Sequence, residues 1–401
     1  MQRLFRSYFE SFSGLRKEIW LLSIITLINR AGTMVIPFLS LYLTKNRGFS
    51  LEEVGWILTF FGLGSVTGSW LGGKLTDKIG HYKTMAGSLI LSSILFVLLQ
   101  FPTSFWSICI GIYLVMTVAD IFRPAVFVAI NAYSKPQNRT RSITLIRLAI
   151  NLGFSAGPAI GGIIIETGGY SGLFWVDGLT CLMAGILLLR LLHPKRSSTE
   201  IEDIVANAKG AMSDKLYLIF VFAMMLFGFI FIQYFSTMPL FYSESHHLDE
   251  FEIGLLLGLN GLMIFLFEMP LIKFMESRRH TAIGYIILGT LLTGLSFLVI
   301  NLTDWAGVLV AGMLLATIGE MIGFPFSNSF ALSRSDGKKR GSYMALYSIA
   351  FSVSHIFGHN SGMQLINNFG FEFTWYTMLG LALFACFLLY ILKGRLKKEQ
   401  V

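Results

Sequence analysis

Charge is scarce in this sequence. Asp, Glu, Lys and Arg make up only 13% of its 401 residues, against about 25% in soluble domains. Such a chain cannot cover itself with a wet surface. Its hydrophobic share is 54%, with 36 Phe, so lipid must take that place. Cysteine is scarcer still. Cys109, Cys181 and Cys386 all lie inside apolar runs, which excludes a disulfide framework and makes them small buried hydrophobes. A phosphate-binding glycine loop with its Lys and Ser/Thr is missing too, so no ATP motor of that kind is present, and nothing points to an enzyme. His355 and His359 share a helix face, but they lack an HExxH frame and the further ligands a metal needs. They read as polar lining or helix-to-helix hydrogen-bonding groups.

What is present is a series of apolar runs. A membrane-crossing helix needs about 20 residues, and candidates lie at 18–43, 51–72, 83–101, 105–131, 142–166, 171–192, 215–241, 252–272, 281–301, 306–331, 342–366 and 371–392. The residues before Lys17 are polar or basic and read as a lead-in, not as a cleavable leader. The net charge of +8 does not indicate nucleic acid, because the bases sit in short loops. With the N-terminus inside, 26 of the 31 Lys and Arg fall on the cytoplasmic side and only Lys45 and Arg47 outside. That asymmetry fixes an even number of spans with both termini in the cytoplasm.

The two halves repeat at an offset of 199 positions. Leu51-Glu-Glu-Val-Gly55 is echoed by Glu250-Phe-Glu-Ile-Gly254, and Gly62 by Gly261. Lys74, Asp77 and His81 are echoed by Lys273, Glu276 and His280 at the same spacings. Asp120 and Pro124 in span four correspond, within two residues, to Glu320 and Pro325 in span ten. A duplicated six-helix unit follows. It predicts an all-α membrane protein with twelve transmembrane helices in two six-helix bundles related by a pseudo-two-fold axis: 1–193, a polar cytoplasmic linker at 194–214, and 215–401. Parallel repeats of this kind are the transporter design in which two halves rock about a midplane site.

The motifs then become specific. Gly73-Lys-Leu-Thr-Asp77-Lys78-Ile-Gly80-His81-Tyr82-Lys83 has the glycines, acid and base of a signature loop between spans two and three, with His81 and Tyr82 at positions usually basic. Span five carries Gly153-Phe-Ser-Ala-Gly157-Pro158-Ala-Ile-Gly161-Gly162. On these residues the chain resembles the major facilitator superfamily along its whole length, and within it the twelve-helix drug:proton antiporter branch. The resemblance implies a gating role for the loop residues Gly73, Asp77, Lys78, Gly80 and Lys83, and an antiport role for the glycine–proline helix. The arginine of the branch's span-four motif would fall near Ile112; the charges here are instead Asp120 and Arg123.

Charge within lipid costs about 2.5–3.5 kcal/mol per group even on insertion scales. Arg30, Asp120, Arg123, Arg147 and Glu320 therefore should face a cavity and compensate one another. Asp120 and Arg123, three apart, can touch on one helix face. A desolvated carboxylate titrates higher and one beside Arg lower, so Glu320, with no base on its helix, is the better proton carrier and Asp120 the better Arg partner. Arg30 is a candidate contact for an anionic substrate group, with Asn29 beside it. Tyr234, His355 and Glu320 complete the candidate cavity lining. Phe241 and Tyr242 are expected at the outer lipid interface. Glu268, beside Pro270, is expected to snorkel or gate at the inner end of span eight.

These features predict a secondary active transporter of a bacterial inner membrane that works by alternating access. Its expected partners are protons, the lipid bilayer and a small-molecule substrate; it needs no cofactor besides the proton gradient and is expected to act as a monomer. Export of small amphipathic, drug-like compounds is the leading expectation. Proton-coupled transport of a defined nutrient such as a peptide or sugar, and lipid or lysolipid flipping, are the alternatives. A non-transporting receptor would not need the repeat, the glycine motifs or the buried charges.

Overall fold

The structure is a computed structural model that describes residues 14–135, 138–195, 211–278, 281–303, 305–334 and 340–399. Most of the expected linker (196–210) and His280 lie outside the described residues. Among the described residues all regular structure is helical: α1 Lys17–Ala31, α2 Val35–Leu41, α3 Leu51–Ile79, α4 His81–Leu98, α5 Phe105–Asp120, α6 Phe122–Tyr133, α7 Arg139–Gly168, α8 Tyr170–Leu191, α9 Lys215–Ser236, α10 Met238–Glu244, α11 Glu250–Glu276, α12 Ala282–Ile300, α13 Gly307–Ser333 and α14 Arg340–Glu399. A π-helical turn, Tyr42–Asn46, extends α2. Eleven of the helical runs among the described residues are long and apolar enough to cross a membrane. The last of these holds two helices, because α14 breaks at Gly370 with φ 78° and ψ 177°. Only glycine adopts that backbone cheaply, and the expected spans 342–366 and 371–392 lie on either side of it.

Three expected spans are interrupted where a continuous helix was anticipated. The first breaks at Gly32–Met34, the fourth at Ile121 and the seventh at Thr237. A proline follows each break and deprives a carbonyl of its i+4 donor. Pro37 leaves the Thr33 carbonyl without one, Pro124 that of Asp120, and Pro239 that of Phe235. The breaks in spans one and seven fall at nearly corresponding places of the repeat.

The chain divides into two compact units. Unit 1 is Met1–Ile36, Leu63–Ser198 and Leu257–Leu262; unit 2 is Pro37–Gly62, Thr199–Leu256 and Met263–Val401. They differ from the two sequence halves in the segments 37–62 and 257–262. The core of unit 1 joins Ile19, Leu22 and Ile25 of α1 to Met85 and Leu89 of α4, Phe122 and Val126 of α6, and Leu188 of α8. The core of unit 2 is richer in aromatics: Tyr217, Phe220 and Phe227 of α9 meet Phe326 of α13 and Tyr343 and Tyr347 of α14. Phe241 and Tyr242 are buried as well, not lipid-facing as expected; the Phe241 ring stands edge-on to Trp375 at 5.4 Å.

Small residues set how closely the helices approach. Gly64, Gly68 and Gly72 form one stripe along α3, against the backbone of Tyr113, Thr117 and Ile121; an added Cβ at Gly64 or Gly72 would lie 2.6 Å from a carbonyl oxygen. The repeat-related pair behaves alike. Within unit 2, Gly62 packs on the backbone of His355, and within unit 1, Gly261 packs on that of Ser155.

At one end of unit 2, Asp214 starts α9 by accepting the Tyr217 amide at 3.0 Å. It also accepts Arg334 Nε at 2.8 Å and the Tyr343 hydroxyl at 3.2 Å, while Arg334 Nη1 donates to Glu399 at 2.7 Å. Burial alone would raise the Asp214 carboxyl, but these donors and the Arg334 charge outweigh it and hold it below its ordinary value. A lowered carboxyl stabilises the fold above the unfolded-chain value of about 3.9 and loses that contribution as pH falls through the lower folded value. Asp214→Asn is therefore expected to cost about 1–2 kcal/mol in thermal unfolding at neutral pH, the scale of a lost helix cap. Between about pH 5 and pH 3 the wild type should lose more stability than the variant.

Candidate functional site

The break in span one is built from both of its sides. α1 ends as the Gly32 amide bonds the Ile28 carbonyl at 3.1 Å and the Thr33 amide bonds that of Arg30 at 3.1 Å. The next two amides leave the helix and turn to α8. Met34 donates to Asp177 Oδ1 at 2.9 Å and Oδ2 at 3.2 Å, and Val35 donates to Oδ2 at 3.0 Å. Asp177 is fully buried. Glycines make room for the turn: a Cβ on Gly32 would overlap Thr180, one on Gly153 would lie 2.5 Å from the Arg30 Cβ, and one on Gly157 would lie 3.1 Å from the Ala31 carbonyl oxygen. The glycine–proline helix α7 thus packs its first two glycines on the turn that carries Arg30. Pro158, Gly161 and Gly162 are buried further along it. Ser155, between the glycines, donates to the Gly258 carbonyl at 2.7 Å.

Beside this turn lies a cavity of about 30 Å³, room for a water or two. Asn29, Arg30, Ser88, Ser92, Asp120 and Cys181 are among the residues lining it. Asp120 is 6% exposed and accepts a hydrogen bond from Ser65 of α3. The Arg30 guanidinium lies 5.7 Å from the centre of the Phe154 ring, and its Nε is buried with no hydrogen-bond partner, as is the Ser92 hydroxyl. Asp120 and Arg123 both act electrostatically on Arg30. Asn29 Nδ2 reaches Cys181 Sγ at 3.5 Å, so Asn29 and Arg30 share the cavity although they are successive on the helix. An acid, a base and several hydroxyls therefore surround a small polar space inside apolar helices. Such a space can hold a proton, water or a polar group of a ligand.

Other residues take places the sequence did not foretell. Asp120 and Arg123 form no ion pair: Asp120 turns to Ser65, and Arg123 is exposed. Arg147 is exposed on α7. Glu320 stands half-buried on α13 in unit 2. Tyr234 is not among the residues lining the cavity beside span one. It is buried in unit 2, where its hydroxyl donates to Ser296 at 2.6 Å and to the Gly312 carbonyl at 3.5 Å, tying α9 to α12 and α13. The His355 and His359 rings lie 5.7 Å apart, and His359 is buried with its edge toward Phe61 at 5.5 Å. Glu268 is buried instead of snorkelling.

In the signature loop Gly80 starts α4 with φ 86°, His81 packs edge-on to Tyr133 at 5.6 Å, and Tyr82 donates to the Leu189 carbonyl at 3.3 Å. This is why His and Tyr stand where bases are usual: both are packed. Asp77, Lys78 and Lys83 are exposed, and among the described residues Asp77 makes no hydrogen bond or ion pair. Gly73 has open space around it. The sequence reading passed over Asp177 altogether. Its signal was a lone acid midway along the apolar run 171–192.

The Major Facilitator Superfamily family model matches residues 19–359. The chain belongs to the major facilitator superfamily. It is 22% identical over 382 residues to a Na(+), Li(+), K(+)/H(+) antiporter of Planococcus maritimus, covering 86% of this chain and 88% of that protein. It is 29% identical over 167 residues to the quinolone resistance protein NorA of Staphylococcus aureus, covering 41% and 42%. Its fold is similar, at a TM-score of 0.81, to a POT family transporter crystallised with a thioalcohol-conjugated peptide, at 13% identity over 96% of this chain and 99% of that one. The superfamily membership makes this a multi-pass membrane transporter and not an enzyme.

Contact at the glycine helix separates a packing role from a loop role. Gly153→Leu is expected to lower thermal stability by about 1–3 kcal/mol through overpacking against Arg30. Gly73→Ala, in open space, should change it by less than about 0.5 kcal/mol. Melting curves of the two purified variants check this.

Proposed function

We propose that the protein is a proton-coupled antiporter of a bacterial inner membrane that exports small amphipathic compounds by alternating access, with both termini in the cytoplasm. The observation that carries the proposal is the polar cavity of unit 1, where Asp120 and Arg30 are buried together inside apolar helices. A proton and a cationic group of a ligand compete for one carboxylate, and that competition is the physical content of antiport. The relatives support this reading, since one is named a cation/proton antiporter and another a quinolone resistance protein. Glu320, placed at the repeat-related position, is the second proton carrier. Exposed Asp77 is the gating carboxylate, free to take a partner when the transporter changes state. The proton gradient supplies the energy, and a single chain suffices.

One observation favours a second substrate class. The Arg30 Nε in the cavity wall is a buried donor with no partner. It suits an anionic or zwitterionic group, as on a short peptide, better than a lipophilic cation.

Vesicles containing the purified protein, with an imposed pH gradient, test both. Ethidium movement should follow the gradient, and Asp120→Asn or Glu320→Gln should weaken that dependence by on the order of 5–150-fold, the range of a coupling energy. Transport indifferent to the gradient, or full coupling in both variants, contradicts the proposal. Gradient-driven uptake of dialanine with no movement of ethidium selects the second class.

A further inference from the structure

The interruption of span one needs a partner that its own chain cannot supply. Two consecutive amides, Met34 and Val35, leave the helical ladder at the depth of Arg30. Both are taken by one carboxylate, Asp177, which lies 143 residues on and is fully buried. The Met34 N–H is shared between Oδ1 and Oδ2, and Oδ2 also accepts the Val35 N–H. The hydrogen bonds to both oxygens come from N–H donors, so the arrangement suits the ionised form. A proton on either oxygen would turn an acceptor into a donor that faces donors.

The surroundings make the clamp specific. One turn further along α8 is Cys181, which lines the cavity and is reached by Asn29. Arg30 sits just before the interruption, with the Gly153 and Gly157 face of α7 behind it. The ionisable neighbour that acts on Asp177 is Cys181, from α8 itself, while Arg30 of α1 interacts with Asp120, Arg123 and Cys181. From α4 the neighbouring stretch of α8 meets Ser93 and Val97, packed on Gly178, neither of which titrates. α7 presents glycine and alkyl groups.

We propose that Asp177 is the positioning residue of the cavity: its carboxylate clamps the interruption of span one and so holds Arg30 in the cavity wall, and taking up a proton releases the clamp. The proton comes from water and rests on Oδ1 or Oδ2; only hydrogen bonds change. The last clause rests on the proton-coupled reading, whereas the clamp itself does not. Asp177 thereby links proton uptake to the one segment of span one that can rearrange without unwinding a continuous helix.

Hydrogen exchange of the intact protein, read on peptides spanning residues 32–38, tests the clamp without any substrate. Protection there should fall by on the order of tenfold to a hundredfold in Asp177→Ala, while peptides of α12 keep theirs. In the wild type, protection should also fall as pH drops, after correction for intrinsic exchange; in Asp177→Asn, which retains an acceptor but cannot titrate, that pH dependence should vanish. Unchanged protection in Asp177→Ala overturns the clamp. Wild-type pH dependence in Asp177→Asn overturns the proton release. In vesicles, Asp177→Asn should retain ethidium exchange at equal pH and lose gradient-driven movement. Wild-type movement that ignores the gradient, together with lost protection in Asp177→Ala, overturns proton coupling and upholds the clamp.

Discussion

Hydrocarbon offers no hydrogen bonds, so every amide and carbonyl that leaves a helix inside the bilayer must find a protein partner. This constraint explains why all regular structure among the described residues is helical, and it sets the terms for each departure. The turn at Gly370 falls between two spans, outside the apolar runs, and uses a backbone that only glycine adopts easily. Where span one breaks, deep among buried side chains, the cost is met by Asp177, with three short contacts to two amides. Two of the helical runs that line the cavity, spans one and four, are interrupted, and the interruptions place Arg30 and Asp120 at the ends of helical segments where side chains can turn inward.

The glycines supply the complementary half of that arrangement. Gly153 and Gly157 bring α7 onto the turn of span one, and the Gly64, Gly68 and Gly72 stripe brings α3 onto α5. The second contact also delivers Ser65 to Asp120. A motif recognised as a sequence pattern thus has a local physical role: it lets backbone approach backbone where a charged residue must be held without a large side chain in the way.

Much of this was legible in the sequence. Hydropathy placed the helices, and the repeat paired Gly62 with Gly261, which pack in corresponding ways. The span-five motif was read as an antiport helix; that its Gly153 packs on Arg30 came only from the structure. What was not legible were the interruptions and their partners. Window hydropathy reads how apolar a run is and not whether its hydrogen-bond ladder is continuous, so spans one, four and seven passed as single helices despite Pro37, Pro124 and Pro239. Helical spacing put Asp120 beside Arg123, but Asp120 turns to Ser65 and Arg123 is exposed. Asp177 escaped because its partners lie 143 residues away, beyond any local pattern. The hydrogen bond from the Tyr234 hydroxyl to Ser296, 62 residues away, was equally beyond local pattern.

The account rests on one electrostatic claim: proton and substrate compete for a buried acid that faces Arg30 across a small polar space. That competition has a direct signature in binding, apart from any flux. Ethidium added to the detergent-solubilised protein in weakly buffered solution should release protons, measurable with a pH electrode or as a buffer-dependent heat of binding, and the release should disappear in Asp120→Asn. Binding of ethidium with no proton release in the wild type would contradict it.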